Sequence, residues 1–156
     1  MLNRDAIARR IPHQGSMCLL AQVVSWSPER IHCAANSHRA PDNPLRAYGR
    51  LGIACGIEYA AQAMAVHGAL VAEGAAAAPS APRVGYLASV RGVAFHAVRL
   101  DDVSGDLSVH AQRLLGDGTH IVYSFAVEAD GKPLLSGRAT VVLDAGLAAR
   151  LSGPAS

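Results

Sequence analysis

The stretch RLGIACGIEYAAQAMAVHGALV, Arg50 to Val71, decides how this chain is read, because it is almost wholly apolar and holds one acid, Glu58. Read as a helix running to about Ala72, it places small and aliphatic residues around nearly its whole circumference. A helix that is apolar all round belongs in an interior. Glu58 and Gln62 stand four apart and so share a face, one turn from each other. A carboxylate wrapped in this way loses hydration, which disfavours its charged form and raises its pKa. Such an acid holds a proton near neutral pH and can deliver it to a leaving group. The same helix is equally compatible with a buried Glu that is satisfied by backbone or by Gln62 and only fixes the core.

Outward from this helix, the chain is one domain's worth at 156 residues, 51% hydrophobic and 17% charged, which excludes general disorder. Its net charge of +2 is mild, Lys132 is the single lysine, and the arginines are scattered, so no nucleic-acid patch forms. Cys18, Cys33 and Cys55 lack CxxC spacing and read as reduced core thiols. The start, MLNRDAIARRIPH, has no apolar core of the kind a secretory signal needs. Glu58, Gln62 and His67 interrupt the central apolar run, so a membrane span is not expected. The expected compartment is the cytoplasm.

Before the helix, Asn3 is placed to cap a short helix through Arg9, ended by Pro12. Met17–Trp26 and Arg30–Asn36 read as strands. Ser37–Tyr48 follows as a loop with Pro41 and Pro44. After the helix, Glu73–Pro82 (EGAAAAPSAP) reads as a mobile surface loop. Arg83–Leu100 then reads as one long strand with a bulge or bend at Gly92. Three runs of period two follow. Their apolar positions are Leu107, Val109 and Ala111, then Ile121, Tyr123, Phe125 and Val127, then Leu135, Ala139, Val141 and Leu143. Asp117-Gly118 and Asp130-Gly131 lie between them as hairpin signals. One antiparallel sheet wrapped around one apolar helix buries that helix on most sides, and a second copy would cover the rest. Residues 1–144 form the single domain in this reading, and 145–156 form a tail without periodicity.

Three stretches in this order resemble the hotdog-fold 3-hydroxyacyl-[acyl-carrier-protein] dehydratases. They are Ile11-Pro12-His13-Gln14 leading into Cys18-Leu19-Leu20, then Ser37 to Pro44 (SHRAPDNP), then Gly56 to Ala65 (GIEYAAQAMA). Within that family the chain is most similar to the divergent dehydratases of aryl polyene and type II polyketide clusters. The resemblance implies a hotdog fold and an α+β class. It implies dehydration of a carrier-bound 3-hydroxyacyl thioester to the trans-2-enoyl thioester, of the fatty acid or polyene type, with no cofactor and no metal. Carried over by residue, His38 is the base and Glu58 the acid, meeting across a dimer interface. Gln62 lies in the substrate site, and the backbone N–H near Gly52 and Ile53 binds the thioester oxygen at the helix N-terminus.

The implied partner is an acyl carrier protein, met by a cationic rim of Arg39, Arg46, Arg50 and Arg83. The implied assembly is a homodimer or a heterodimer with a paralogous dehydratase. Two departures stand out. The loop between His38 and Glu58 is longer than in housekeeping dehydratases, and Arg50-Leu51-Gly52-Ile53 replaces the family's Pro-Gly. They leave open two other functions: a non-catalytic dehydratase-like subunit that pairs with an active paralogue, and a hotdog thioesterase. Of the other histidines, His13 is expected to order a turn, and His67 to be structural. His32, His96, His110 and His120 offer no metal-ligand spacing.

Overall fold

The computed structural model describes residues 1–75, 84–117 and 119–144. Seven antiparallel strands form one sheet: β1 (Leu2–Asn3), β2 (Gln22–Trp26), β3 (Arg30–Ala35), β4 (Val84–Phe95), β5 (Leu107–Gly116), β6 (His120–Ala129) and β7 (Lys132–Asp144). Two helices accompany it, α1 (Arg4–Ala8) and the long α2 (Gly56–Ala75). The strand order is β1-β2-β3-β5-β6-β7-β4. The hotdog fold expected from the sequence is the fold observed. No helix among the described residues is long and apolar enough to cross a membrane.

The sheet follows the two-residue period. Ile31, Cys33 and Ala35 of β3, Leu107, Val109 and Ala111 of β5, Ile121, Tyr123, Phe125 and Val127 of β6, and Leu135 and Ala139 of β7 are all buried. They form one core with Tyr59, Ala60, Ala63, Met64, Val66 and Leu70 of α2. The β6–β7 hairpin turns on Asp130 and Gly131, at φ 52° and 75°. That is the left-handed pair a two-residue hairpin of this hand requires. At the β5–β6 junction the Asp117 carboxylate accepts from the N–H groups of Thr119 and His120, which holds its pKa down to about 2. Gly118, the second half of that signal, lies outside the described residues, as do most of the Glu73–Pro82 loop and the tail.

Several boundaries differ from the sequence reading, each for a visible reason. Strand β2 begins at Gln22 and not at Met17: Cys18–Leu20 are buried in the core, and the Leu19 N–H is given to Gln62 of the helix instead of a neighbouring strand. Helix α2 begins at Gly56, after a short 3-10 turn over Ile53–Cys55. Leu51–Ile53 is instead drawn out in a small ladder, with Leu100 N–H donating to Leu51 O (2.8 Å) and Ile53 N–H to Val98 O (3.1 Å). The Asp101 carboxylate clamps this ladder by accepting from Leu51 N–H (2.9 Å) and from the Arg99 guanidinium. That pairing holds Asp101 well below the usual carboxylate range. The ladder also ends β4 at Phe95, short of Leu100. Gly92, at φ +62°, is the bend, and the register shifts just after it.

Strand β4 does not neighbour β5. The crossover through α2 carries it to the far edge, beside β7. The apolar circumference of α2 is also not fully covered. Ile57, Glu58, Ala61, Ala65, Gly68 and Ala69 remain half-buried along one face, because the sheet wraps only the other side.

Candidate active site

Glu58 lies in the first turn of α2. Its side chain is 38% exposed, which corrects the expectation of a fully buried acid in this chain: it opens onto the uncovered face of the helix. Its Oε1 lies 3.2 Å from His13 Nε2, and the His13 side chain is 27% exposed. His13 reaches it from the link after α1, where the Gln14 amide pins the turn by donating to Ala8 O (2.7 Å) and Ile11 O (3.3 Å). The other ring nitrogen of His13, Nδ1, is buried and has no hydrogen-bond partner among the described residues.

Gln62, one turn on, is fully buried, with both ends of its amide engaged in the chain. It accepts from Leu19 N–H (2.9 Å) and donates to Met17 O (2.8 Å). The side chain expected to meet substrate is therefore a strap between α2 and the segment that carries His13. This strap holds Met17 and Leu19, a few residues after His13, against α2.

His38 lies in a 3-10 turn, Ser37–Arg39, and is fully buried. Its Nε2 is 3.0 Å from both Val103 O and Gly105 O. Carbonyls only accept, so Nε2 carries the hydrogen and Nδ1 is the lone-pair nitrogen. That Nδ1 is also buried without a partner. Burial pushes the imidazolium pKa down, with the nearby Arg39 charge adding to it, so the ring is neutral. Within one chain, Glu58 and His38 touch different partners: the polar neighbour of Glu58 is His13, and those of His38 are carbonyls of the link between β4 and β5.

Tyr59, which the sequence reading did not single out, holds the loop of His38 to the helix of Glu58 through Ser37 and Asn43. The Tyr59 hydroxyl lies 2.7 Å from Ser37 Oγ and accepts from Asn43 Nδ2 (3.1 Å). Asn43 Nδ2 also reaches Ser37 O (2.9 Å). Burial pushes the Tyr59 phenol up. The Asn-Pro pair was part of the resemblance, but nothing in the local pattern marked Tyr59 as its partner.

The expected oxyanion donors separate. The Ile53 N–H is spent on Val98 O, which removes it. Gly52 sits between the two ladder bonds, so its own N–H turns away from Arg99, and a Cβ built on it would meet nothing within 4 Å. Of the four arginines, Arg39 is tied to Ser104 O (2.6 Å) and to the Asp106 carboxylate (2.8 Å). Arg46 Nε donates to Ala40 O (3.0 Å). Arg50 is exposed, and Arg83 lies outside the described residues.

His67, His32 and His110 are structural in their contacts. His67 is fully buried, with Nε2 2.8 Å from Ser27 O and Nδ1 2.8 Å from the Tyr123 hydroxyl. His32 and His110 stack on the outer face of the sheet, with ring centroids 4.3 Å apart.

Comparison with known proteins agrees with the fold and identifies the family. The chain is similar to a component of the dehydratase heterocomplex ApeI:P from Xenorhabdus doucetiae, with a TM-score of 0.78 and 24% identity over 95% of this chain and 97% of that one. It also resembles a thioesterase family protein from Silicibacter pomeroyi (TM-score 0.62, 18% identity, 90% and 93% covered). A thioesterase from Haemophilus influenzae gives a TM-score of 0.63 at 10% identity, with 92% of each chain covered. At these identities the three establish the fold. No curated protein sequence matches the chain significantly. The family model for the ApeP dehydratase matches residues 5–151, nearly the whole length. The chain belongs to the ApeP-like dehydratase family.

Proposed function

We propose that this chain dehydrates a 3-hydroxyacyl thioester borne on the phosphopantetheine arm of an acyl carrier protein, as one half of a pair of hotdog subunits. The observation that carries the proposal is the carboxyl group of Glu58, set in the first turn of α2 beside an imidazole, next to the half-buried apolar stretch of Ile57, Ala61, Ala65, Gly68 and Ala69. Apolar walls suit an acyl chain, and one acid suits a leaving hydroxyl.

In this reading Glu58 gives its proton to the C3 hydroxyl as the C–O bond breaks. A histidine takes the C2 proton, the C2–C3 double bond forms, and water leaves. The resemblance assigns that base to His38. Its tautomer suits the role, since Nε2–H is held by two carbonyls and the Nδ1 lone pair is left to accept. That lone pair is enclosed in the single chain, so proton abstraction by His38 requires the Ser37–Arg39 turn to open. The Gly52 N–H is the remaining donor for the thioester oxygen, which gains negative charge as C2 is deprotonated.

The partner is a paralogous dehydratase. Edge strand β4 exposes Tyr86 and Phe95, Val98 follows it at 79% exposed, and α2 leaves its own half-buried face of small residues. A second hotdog chain paired here would cover both. The related heterocomplex supports a paralogue as that chain.

The enclosure of His38 favours a second reading, in which this chain is a non-catalytic subunit that supports an active paralogue. One experiment separates them. The purified chain, the paralogue and their mixture are each incubated with a 3-hydroxyacyl-carrier protein, and loss of water is followed by intact mass. Activity of the mixture that is lost with Glu58→Gln in this chain supports the catalytic reading. Activity of the mixture that ignores the substitution supports the second. Release of free acid instead of water would make the chain a thioesterase.

A further inference from the structure

Tyr48 is fully exposed, more so than any other large apolar side chain among the described residues, and its backbone has a conformation that suits tyrosine badly. We propose that Tyr48 is the anchor by which this chain docks the acyl carrier protein, with Arg46 and Arg50 beside it to meet the phosphate of the carrier's arm. This deepens the dehydratase reading and rests on it.

Three observations lead there. The first is the turn itself. Ala47–Arg50 closes a two-residue hairpin, with Ala47 N–H donating to Arg50 O (2.9 Å) and Arg50 N–H to Ala47 O (3.1 Å). Its central pair, Tyr48 and Gly49, lies at φ 54° and 75°. Asn, Asp and Gly suit such a turn, and Asp130-Gly131 fills its counterpart between β6 and β7 at 52° and 75°. A tyrosine there carries the steric cost of the left-handed region. Its exposed ring repays none of that cost within the fold, and strain of this kind marks places where a chain binds or acts.

The second observation is that the tip is braced. Arg46 donates from Nε to Ala40 O (3.0 Å) and from Nη1 to Gly49 O (3.5 Å). Leu51, directly after the turn, is fixed by Leu100 and by the Asp101 carboxylate. An aromatic ring on a braced turn gives up little freedom when it binds.

The third is that position and charge fit this partner. The tip leads through Leu51–Ile53 into the first turn of α2, where Glu58 lies. In the dehydratase reading C3 of the substrate meets Glu58, and the acyl chain beyond it runs along Ala61, Ala65 and Gly68. The thioester and its arm then leave at the first-turn end of α2, the end that carries the tip. Arg46 bonds only carbonyls and Arg50 is exposed, so among the described residues neither charge is balanced by a carboxylate. Such charges speed encounter with an anionic partner, while an aromatic anchor holds the complex once formed.

The test uses the chain paired with its paralogue and two probes: a phosphopantetheine-bearing acyl carrier protein, and the 3-hydroxyacyl group on free pantetheine. Tyr48→Ala is expected to weaken carrier binding in a calorimetric titration by about ten- to thirty-fold, at high salt as well as low. KM for the carrier-bound substrate is expected to rise, with kcat and turnover of the pantetheine thioester unchanged. Tyr48→Phe keeps the ring and is expected to keep most of the affinity. Tyr48→Gly is expected to bind as weakly as the Ala variant yet to unfold in urea at no lower a midpoint, because glycine relieves the turn. A wild-type assembly that does not bind the carrier, binding that ignores Tyr48→Ala, an equal loss on the pantetheine thioester, or a midpoint that falls with Tyr48→Gly would overturn the proposal. So would a Tyr48→Ala chain that loses its paralogue in sedimentation, since the tip would then be a subunit contact. If the wild-type assembly releases no water, the dehydratase reading fails by itself, and the titration still decides whether Tyr48 holds the carrier.

Discussion

Replacing Gln62 with Leu separates a strap from a substrate contact. The side chain is fully buried, and its amide makes two bonds, at 2.9 Å to Leu19 N–H and 2.8 Å to Met17 O. Leucine has nearly the same volume, so the cavity cost is small. The lost bonds are unequal in cost. Leu19 is itself buried, so its N–H is left without a partner, worth about 1–3 kcal/mol. Met17 is 42% exposed, so its carbonyl can turn to water, and that bond is worth about 1 kcal/mol. Removing a buried amide returns part of this, which leaves a net loss of about 2–3 kcal/mol. For a chain of this size that lowers Tm by roughly 5–10 °C. Urea unfolding followed by circular dichroism measures it, with an unchanged slope showing that the unfolded state is the same. A loss below about 0.5 kcal/mol, small beside the ~1–3 kcal/mol of an orphaned donor, would refute the reasoning. Unchanged stability with a raised KM would instead make Gln62 a substrate contact.

Other outcomes follow from the same geometry. Burial pushes His38 and His67 below the ordinary value of about 6.5, so each is neutral in the fold and charges first in the unfolded chain. Their stabilisation is complete above about pH 6.5 and is lost as pH falls, by up to ~1.4 kcal/mol per pH unit for each. Urea midpoints that stay level between about pH 7 and 5 would contradict this. Tyr123→Phe removes the hydroxyl bonded to His67 Nδ1, and chemical unfolding should show a loss of about 1–2 kcal/mol. At the rim, Arg50→Glu should slow encounter with the carrier-bound substrate several-fold at low salt, and the effect should fade as salt screens it. Arg39→Glu should do less, because Asp106 already balances Arg39. Stopped-flow kinetics across salt concentrations would show whether the order is reversed.

What the chain could say by itself was whatever repeats at short range. Alternation in β5 and β6, and at Leu135 and Ala139 of β7, marked buried side chains because a strand shows its two faces every second residue, while Val141 and Leu143 stay half-buried and the off-phase Leu134 is buried as well. Asn3 capping α1 and Asp130-Gly131 turning the last hairpin are likewise decided within four residues. The long apolar run announced a central helix, and three short motifs announced the fold family. Tertiary structure alone decided the rest. Leu51–Ile53 could have continued the helix, but Val98, Leu100 and Asp101, some fifty residues away, pull it into a ladder. Gln62 looked like a site residue because it follows Glu58 by one turn. Only the path of Met17–Leu19 shows that its amide is consumed. His13 and Glu58 are separated by most of the first third of the chain, and no pattern of period two or 3.6 spans that gap. Their meeting is set by the packing of one segment on α2, the one thing a single sequence does not record.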